Sequence, residues 1–167
     1  MSALRHGVGA LLIAVMTVAS ASGAEPVFAE LSGSRIRVSD RAGAPILLNF
    51  WATWCAPCRS EMPVFTKLHE ELAPRGLRVI GVSANGLDQA ETVRAAMTAM
   101  NMSFEVWLWA NANDMAHYSV GPQLPATLLI AADGTVLHRF RGVVREDQLR
   151  PLIEPLLPRQ AEDQPAP

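Results

Sequence analysis

The 167-residue chain contains two cysteines, and they stand together as Cys55-Ala56-Pro57-Cys58, directly after the apolar run Ile46 to Trp51. Beyond them Met62, Phe65, Leu68, His69 and Leu72 recur at three- and four-residue steps, which predicts a helix from Pro57 to Leu72 with the cysteine pair at its entry. Free N–H groups and the macrodipole at a helix N-terminus stabilise an anion, so the Cys55 thiolate becomes available nearer neutral pH than the ~8.5 of a free thiol. Cys58, one turn further in, faces the core. This arrangement suits thiol–disulfide exchange: Cys55 attacks a disulfide and forms a mixed disulfide, and Cys58 then displaces the product intramolecularly. Two other readings of the pair stay open on the residues alone. A structural disulfide would close so small a loop that it removes little unfolded-state entropy. A zinc half-site needs two more ligands, whereas His69, His117 and His138 are scattered without ligand spacing. Haem attachment requires His after the second cysteine, and Arg59 stands there. Met97, Met100 and Met102 fit helix packing better than copper ligation.

The elements that must hold this pair are legible in the periodicity. Ile46-Leu47-Leu48-Asn49-Phe50-Trp51 has the length and continuous hydrophobicity of a strand buried on both faces, and Leu77 to Ser83 reads the same way. A helix over Asp88 to Met100, a strand over Phe104 to Trp109, a short helix over Asn113 to Tyr118, a strand over Ala126 to Ala131, the Asp133-Gly134 turn and a strand over Thr135 to Arg141 follow. Glu146 to Leu157 carries Leu149, Leu152, Ile153, Leu156 and Leu157 on one side of a helix that Pro151 must bend or restart, and Pro63 should kink the helix after the cysteines. Before all of these, Arg35 to Val38 alternates like an edge strand. Trp107 and Trp109 fall on one side of their strand, with the core as the default place for both and a docking face as the alternative. Strands joined through helices and closed by a hairpin give an α/β class with a largely parallel sheet.

Half the residues are hydrophobic, 18% are charged and the net charge is −2, an ordinary globular balance that provides no basic field for nucleic acid or anionic membrane. At the N-terminus a single cation, Arg5, precedes an apolar run from Val8 to Ala19 and the small residues Ala19 to Ala24. Residues 1–24 therefore read as a cleavable export signal, its apolar run too short for the ~20 residues of a membrane span, with an uncleaved anchor as the alternative. Residues 25–158 form one expected domain and 159–167 a polar, proline-containing tail.

Asn49-Phe50-Trp51-Ala52-Thr53-Trp54-Cys55-Ala56-Pro57-Cys58, then Pro63, Leu124-Pro125-Ala126-Thr127 and Asp133-Gly134, resemble the TlpA/ResA-like family of exported thioredoxin-fold thiol–disulfide oxidoreductases, over about residues 27 to 157. The resemblance implies a thioredoxin-like fold with an N-terminal extension and a central strand-helix insertion, in or beside which Asp88 to Trp109 fall. It implies a cis bond at Leu124-Pro125 in a loop beside the cysteines that offers backbone to an extended client segment, with Trp54, Ala56, Pro57 and Leu124 around it. No cofactor or metal is implied beyond the redox-active Cys55–Cys58 disulfide. The implied partners are a client protein carrying a disulfide, of the cytochrome c maturation or cuproprotein assembly type, and a membrane thiol donor in the periplasm that re-reduces the pair. A non-catalytic binding module with a locked disulfide is the rival reading. A peroxidase of related fold would need a Thr three residues before its attacking cysteine, and Thr53 is one residue too close.

Two departures carry information. Thioredoxin has a buried Asp where this chain has Asn49, which cannot titrate, so the Cys58 proton must move through water or another acid; Asp88 is the nearest carboxylate past the strand end Ser83-Ala84-Asn85 and is weighed as relay or as helix cap. Ala56-Pro57 offers no side-chain donor to a thiolate, which favours a reducing potential of roughly −180 to −270 mV. Trp51 is expected in the core and Trp54 at the rim of the site.

Overall fold

A computed structural model describes residues 24–158; most of the expected signal, residues 1–23, and the expected tail, 159–167, lie outside the described residues. Strands β1 (Phe28–Glu30), β2 (Arg35–Ile36), β3 (Ile46–Trp51), β4 (Arg78–Ser83), β5 (Glu105–Leu108), β6 (Ala126–Ile130) and β7 (Val136–Arg141) form one sheet in the order β2-β1-β5-β4-β3-β6-β7. The three central strands β3, β4 and β5 are parallel, and the flanking pairs are antiparallel. Helices α1 (Ala56–Leu72), α2 (Ala90–Ala99) and α3 (Ala112–His117) connect successive strands, and α4 (Glu146–Ile153) follows β7.

The sheet divides two cores because the central strands are apolar on both faces. Leu47 and Trp51 of β3 pack toward α1, with Met62, Phe65 and Leu68 of that helix, Val93 of α2 and Leu149 and Ile153 of α4. Ile46, Leu48 and Phe50 face the other way, toward Phe28, Trp107 and Met115. Asn49 lies between Leu47 and Trp51 and so points its amide at α1, the placement on which the site depends. The central strand-helix unit is α2 with β5, which adds a parallel strand outside β4.

Three features differ from expectation. The edge strand expected over Arg35 to Val38 is two residues long, and a 3-10 turn from Val38 to Arg41 takes over. The strand β1, not anticipated, pairs with β5, where Arg41 joins Glu30 and Glu105 in a half-buried ion cluster. Pro63 stands inside α1 on its solvent-facing side, and the helix continues past it to Leu72. Trp107 is fully buried, but Trp109 is 54% exposed: the strand ends at Leu108, and a left-handed backbone at Trp109 (φ 78) breaks the alternation.

Candidate active site

Cys55 is the N-cap of α1, and its sulfur accepts the Cys58 N–H at 3.3 Å. Pro57 in the first turn loses no hydrogen bond, because that N–H would have no helical partner. The cysteines are joined as a disulfide, Cα–Cα 5.3 Å. Cys58 is fully buried and Cys55 is 5% exposed, so an incoming disulfide meets Cys55 first. The loop before them is tied to the end of β4 by a satisfied polar network. Thr53 N–H donates to Asn85 Oδ1 at 3.0 Å, Asn85 Nδ2 donates to Thr53 Oγ1 at 2.9 Å, and Ser83 Oγ donates to Asn85 Oδ1 at 2.7 Å. Buried networks of this kind fix one geometry. Asn85→Ala is expected to lower stability by roughly 1–3 kcal/mol, with loss of Thr53 amide protection in hydrogen exchange; unchanged protection would show that the loop is held by other contacts.

A groove of about 480 Å³ opens beside Cys55. Trp54, Ala56, Pro57 and Leu124 line it, with Ala84, Ala110 and Met115 opposite. The Leu124–Pro125 bond is cis. Pro125 itself is buried and its carbonyl accepts the Gly142 N–H at 2.9 Å, so Leu124 is the member of the pair that reaches the groove. Trp51 is fully buried, and Trp54 is 67% exposed at the groove's edge. Asp88 lies in the 3-10 turn Leu87–Gln89 and is exposed to solvent.

A different carboxylate lies under the site. Glu61, three residues after Cys58 on the same face of α1, is 1% exposed. Asn49 Nδ2 donates to Glu61 Oε1 at 2.8 Å and to Thr127 Oγ1 at 3.0 Å, while Val144 N–H donates to Glu61 Oε2 at 2.9 Å. Burial pushes the Glu61 carboxyl up to about 7, against the two N–H donors, which pull it down. Glu61 was not among the residues singled out from the sequence, although the signal was there. Cys58, Glu61, Met62 and Phe65 share one helical stripe, and an acid on an otherwise apolar stripe has to be buried or functional. Among the described residues no cluster of His, Cys, Asp and Glu could hold a metal ion, and no helix is long and apolar enough to cross a membrane.

The sequence of residues 23–139 matches the AhpC/TSA family. The thiol–disulfide oxidoreductase ResA of Bacillus anthracis is 32% identical over 132 residues, 79% of this chain and 75% of the relative. Two solved structures share the fold. A secreted Mycobacterium tuberculosis disulfide oxidoreductase homologous to E. coli DsbE gives TM-score 0.65 at 22% identity, covering 79% of this chain and 96% of its own. StoA from Bacillus subtilis gives TM-score 0.62 at 22% identity, covering 78% and 97%. With a Cys-x-x-Cys disulfide at the entry of α1 on this thioredoxin-like sheet, the chain belongs to the AhpC/TSA family and, within it, to the ResA-type thiol–disulfide oxidoreductases.

Proposed function

We propose that the protein is exported to the periplasm and reduces disulfides of client proteins, with Cys55 attacking and Cys58 resolving. The observation that carries the division of labour is burial: Cys55 lies at the groove and Cys58 beneath it. The Cys55 thiolate attacks one sulfur of the client disulfide, forming a mixed disulfide and releasing the other client sulfur as a thiolate. Cys58 gives up its proton, attacks Cys55 Sγ and breaks the mixed disulfide. Both client thiols are then free and the enzyme holds the Cys55–Cys58 disulfide. Glu61, rather than exposed Asp88, takes the Cys58 proton, because it is the buried carboxylate on the Cys58 face of α1 and is poised near neutrality. Two electrons pass to the client, and a membrane thiol donor returns them. Trp54, Ala56, Pro57 and Leu124 contact the client, and Pro125 shapes the loop. The clients belong to haem or copper protein assembly, as the resemblance to the TlpA/ResA-like family implies.

The direction of electron flow rests on the Ala56-Pro57 dipeptide, which supplies no donor to hold the reduced form. Equilibration of the mature protein with glutathione buffers, read by mass shift after alkylation, is expected to give a midpoint more reducing than about −200 mV. A midpoint near the −120 mV of a strong oxidant would reverse the proposed direction.

A further inference from the structure

The structure assigns Trp109 a role in client selection: together with Trp54 and Leu87 it forms an apolar rim that accepts an aromatic or branched aliphatic side chain next to the client's disulfide cysteine. This rests on Cys55 being the attacking thiol.

Five large apolar side chains are conspicuously exposed among the described residues, and three of them, Trp54, Leu87 and Trp109, follow the C-terminal ends of β3, β4 and β5. Those ends are level, since Trp51 pairs with Ser83 and Ser83 with Leu108. The strand ends that these three residues follow therefore span two strand spacings, roughly 10 Å. The rim continues into the groove at Cys55, where Ala110, the residue after Trp109, forms part of the wall. No ionisable side chain other than Cys55 itself lines that groove; its side chains are mostly apolar, and Asn111 adds an amide. A client segment lying in the groove meets mainly apolar side chains and no charged one, Arg59 and Asp88 standing outside its lining, which favours uncharged, bulky neighbours of the reacting cysteine.

The backbone at Trp109 argues that its ring is there for this contact. A bulky side chain at φ 78 is a genuine outlier, and Gly, Asn or Asp would hold the same turn more cheaply. Strand alternation would have put Trp109 on the core side beside Trp107; the left-handed turn puts it in solvent instead, while Ala110 N–H still reaches Ser83 O at 2.9 Å and keeps the chain against β4. Neither Trp54 nor Trp109 stacks on another ring among the described residues. A strained, half-exposed Trp that completes no internal cluster is a surface feature with a contact to make.

The test uses two synthetic peptides, each closed by one disulfide and uncharged, differing only in Phe or Ser after the first cysteine, with hydroxyethyl disulfide as a small control. Reduced wild-type protein is expected to be oxidised about 10-fold faster by the Phe peptide than by the Ser peptide. Trp109→Asn should bring that ratio below about 2 by slowing the Phe peptide alone. Trp109→Phe should keep it, and the rate with hydroxyethyl disulfide should be the same in all three proteins. Trp109→Asn should also melt no lower than wild type, because Asn suits the left-handed backbone. A wild type that does not distinguish the peptides, or a Trp109→Asn variant that keeps the preference, overturns the inference. So does a parallel loss with all three oxidants and a lowered Tm, which would mark Trp109 as structural. A reduced wild type that reacts with none of the three would instead overturn the redox reading itself.

Discussion

Reduced Cys58→Ser protein is expected to accumulate a covalent complex with a disulfide-bearing client, and Cys55→Ser is expected to accumulate none. The asymmetry follows from burial. With Cys58 removed, Cys55 still attacks from the edge of the groove, but the mixed disulfide waits for an external thiol. An intramolecular thiol held one helical turn away acts at effective molarities no free thiol reaches, so the lifetime of the complex should lengthen by roughly three orders of magnitude or more. With Cys55 removed, Cys58 has no exposed surface to offer an incoming disulfide. Non-reducing gels and intact-mass measurement read both outcomes. A complex with Cys55→Ser alone would exchange the two roles, and none with either variant would support a binding module that uses the same groove without chemistry.

Glu61→Gln should both slow the exchange and change how stability depends on pH. A carboxylate raised to about 7 in the folded state keeps a proton that the unfolded chain, with its ordinary value of 4.5, has already lost. Across that window the native state binds more protons, so stability falls as pH rises from about 4.5 to about 7 and the loss is complete above it. The shift corresponds to at most about 3 kcal/mol. Urea unfolding of the oxidised protein, in which neither cysteine titrates, should show wild type losing stability relative to Glu61→Gln between pH 4.5 and about pH 8. The variant can remake the Asn49 and Thr127 contacts only by leaving the Asn49 Nδ2 donors in a buried position without a partner, which adds a loss of stability that does not depend on pH. The Asn49 Oδ1 atom has no partner, so reversing that amide presents an acceptor to the new Gln Nε2, and the Thr127 hydroxyl can donate where it formerly accepted. Mixed-disulfide resolution in the variant should be about 100-fold slower at neutral pH and lose its inflection near pH 7. A variant with wild-type rates and an unchanged pH profile would remove Glu61 from the proton path.

Serial apolar runs placed β3, β4 and β6, and three- and four-residue spacing placed α1, because each of these elements is a local pattern of one face or two. Cys55 and Cys58 were legible for the same reason: their chemistry needs only a fixed spacing and a helix entry. The Glu61 site required the tertiary structure. Its partners come from β3 and from the turn before α4, 12 residues back and 83 residues on, and no periodicity in the chain announces that Asn49, Val144 and Glu61 share one buried volume. The same holds for Asn85, which reads as a turn residue in the sequence and in the fold anchors a loop 32 residues away. Trp109 shows the limit most directly. Alternation assigned it to the core with Trp107, and one left-handed residue at the end of β5 moved it to the surface, next in sequence to Ala110 of the groove wall. Sequence alone thus determined most of the elements and the cysteine pair, because those depend on near neighbours; the buried Glu61 carboxylate, the Asn85 loop anchor and the exposure of Trp109 were decided by which distant parts of the chain the sheet brings together.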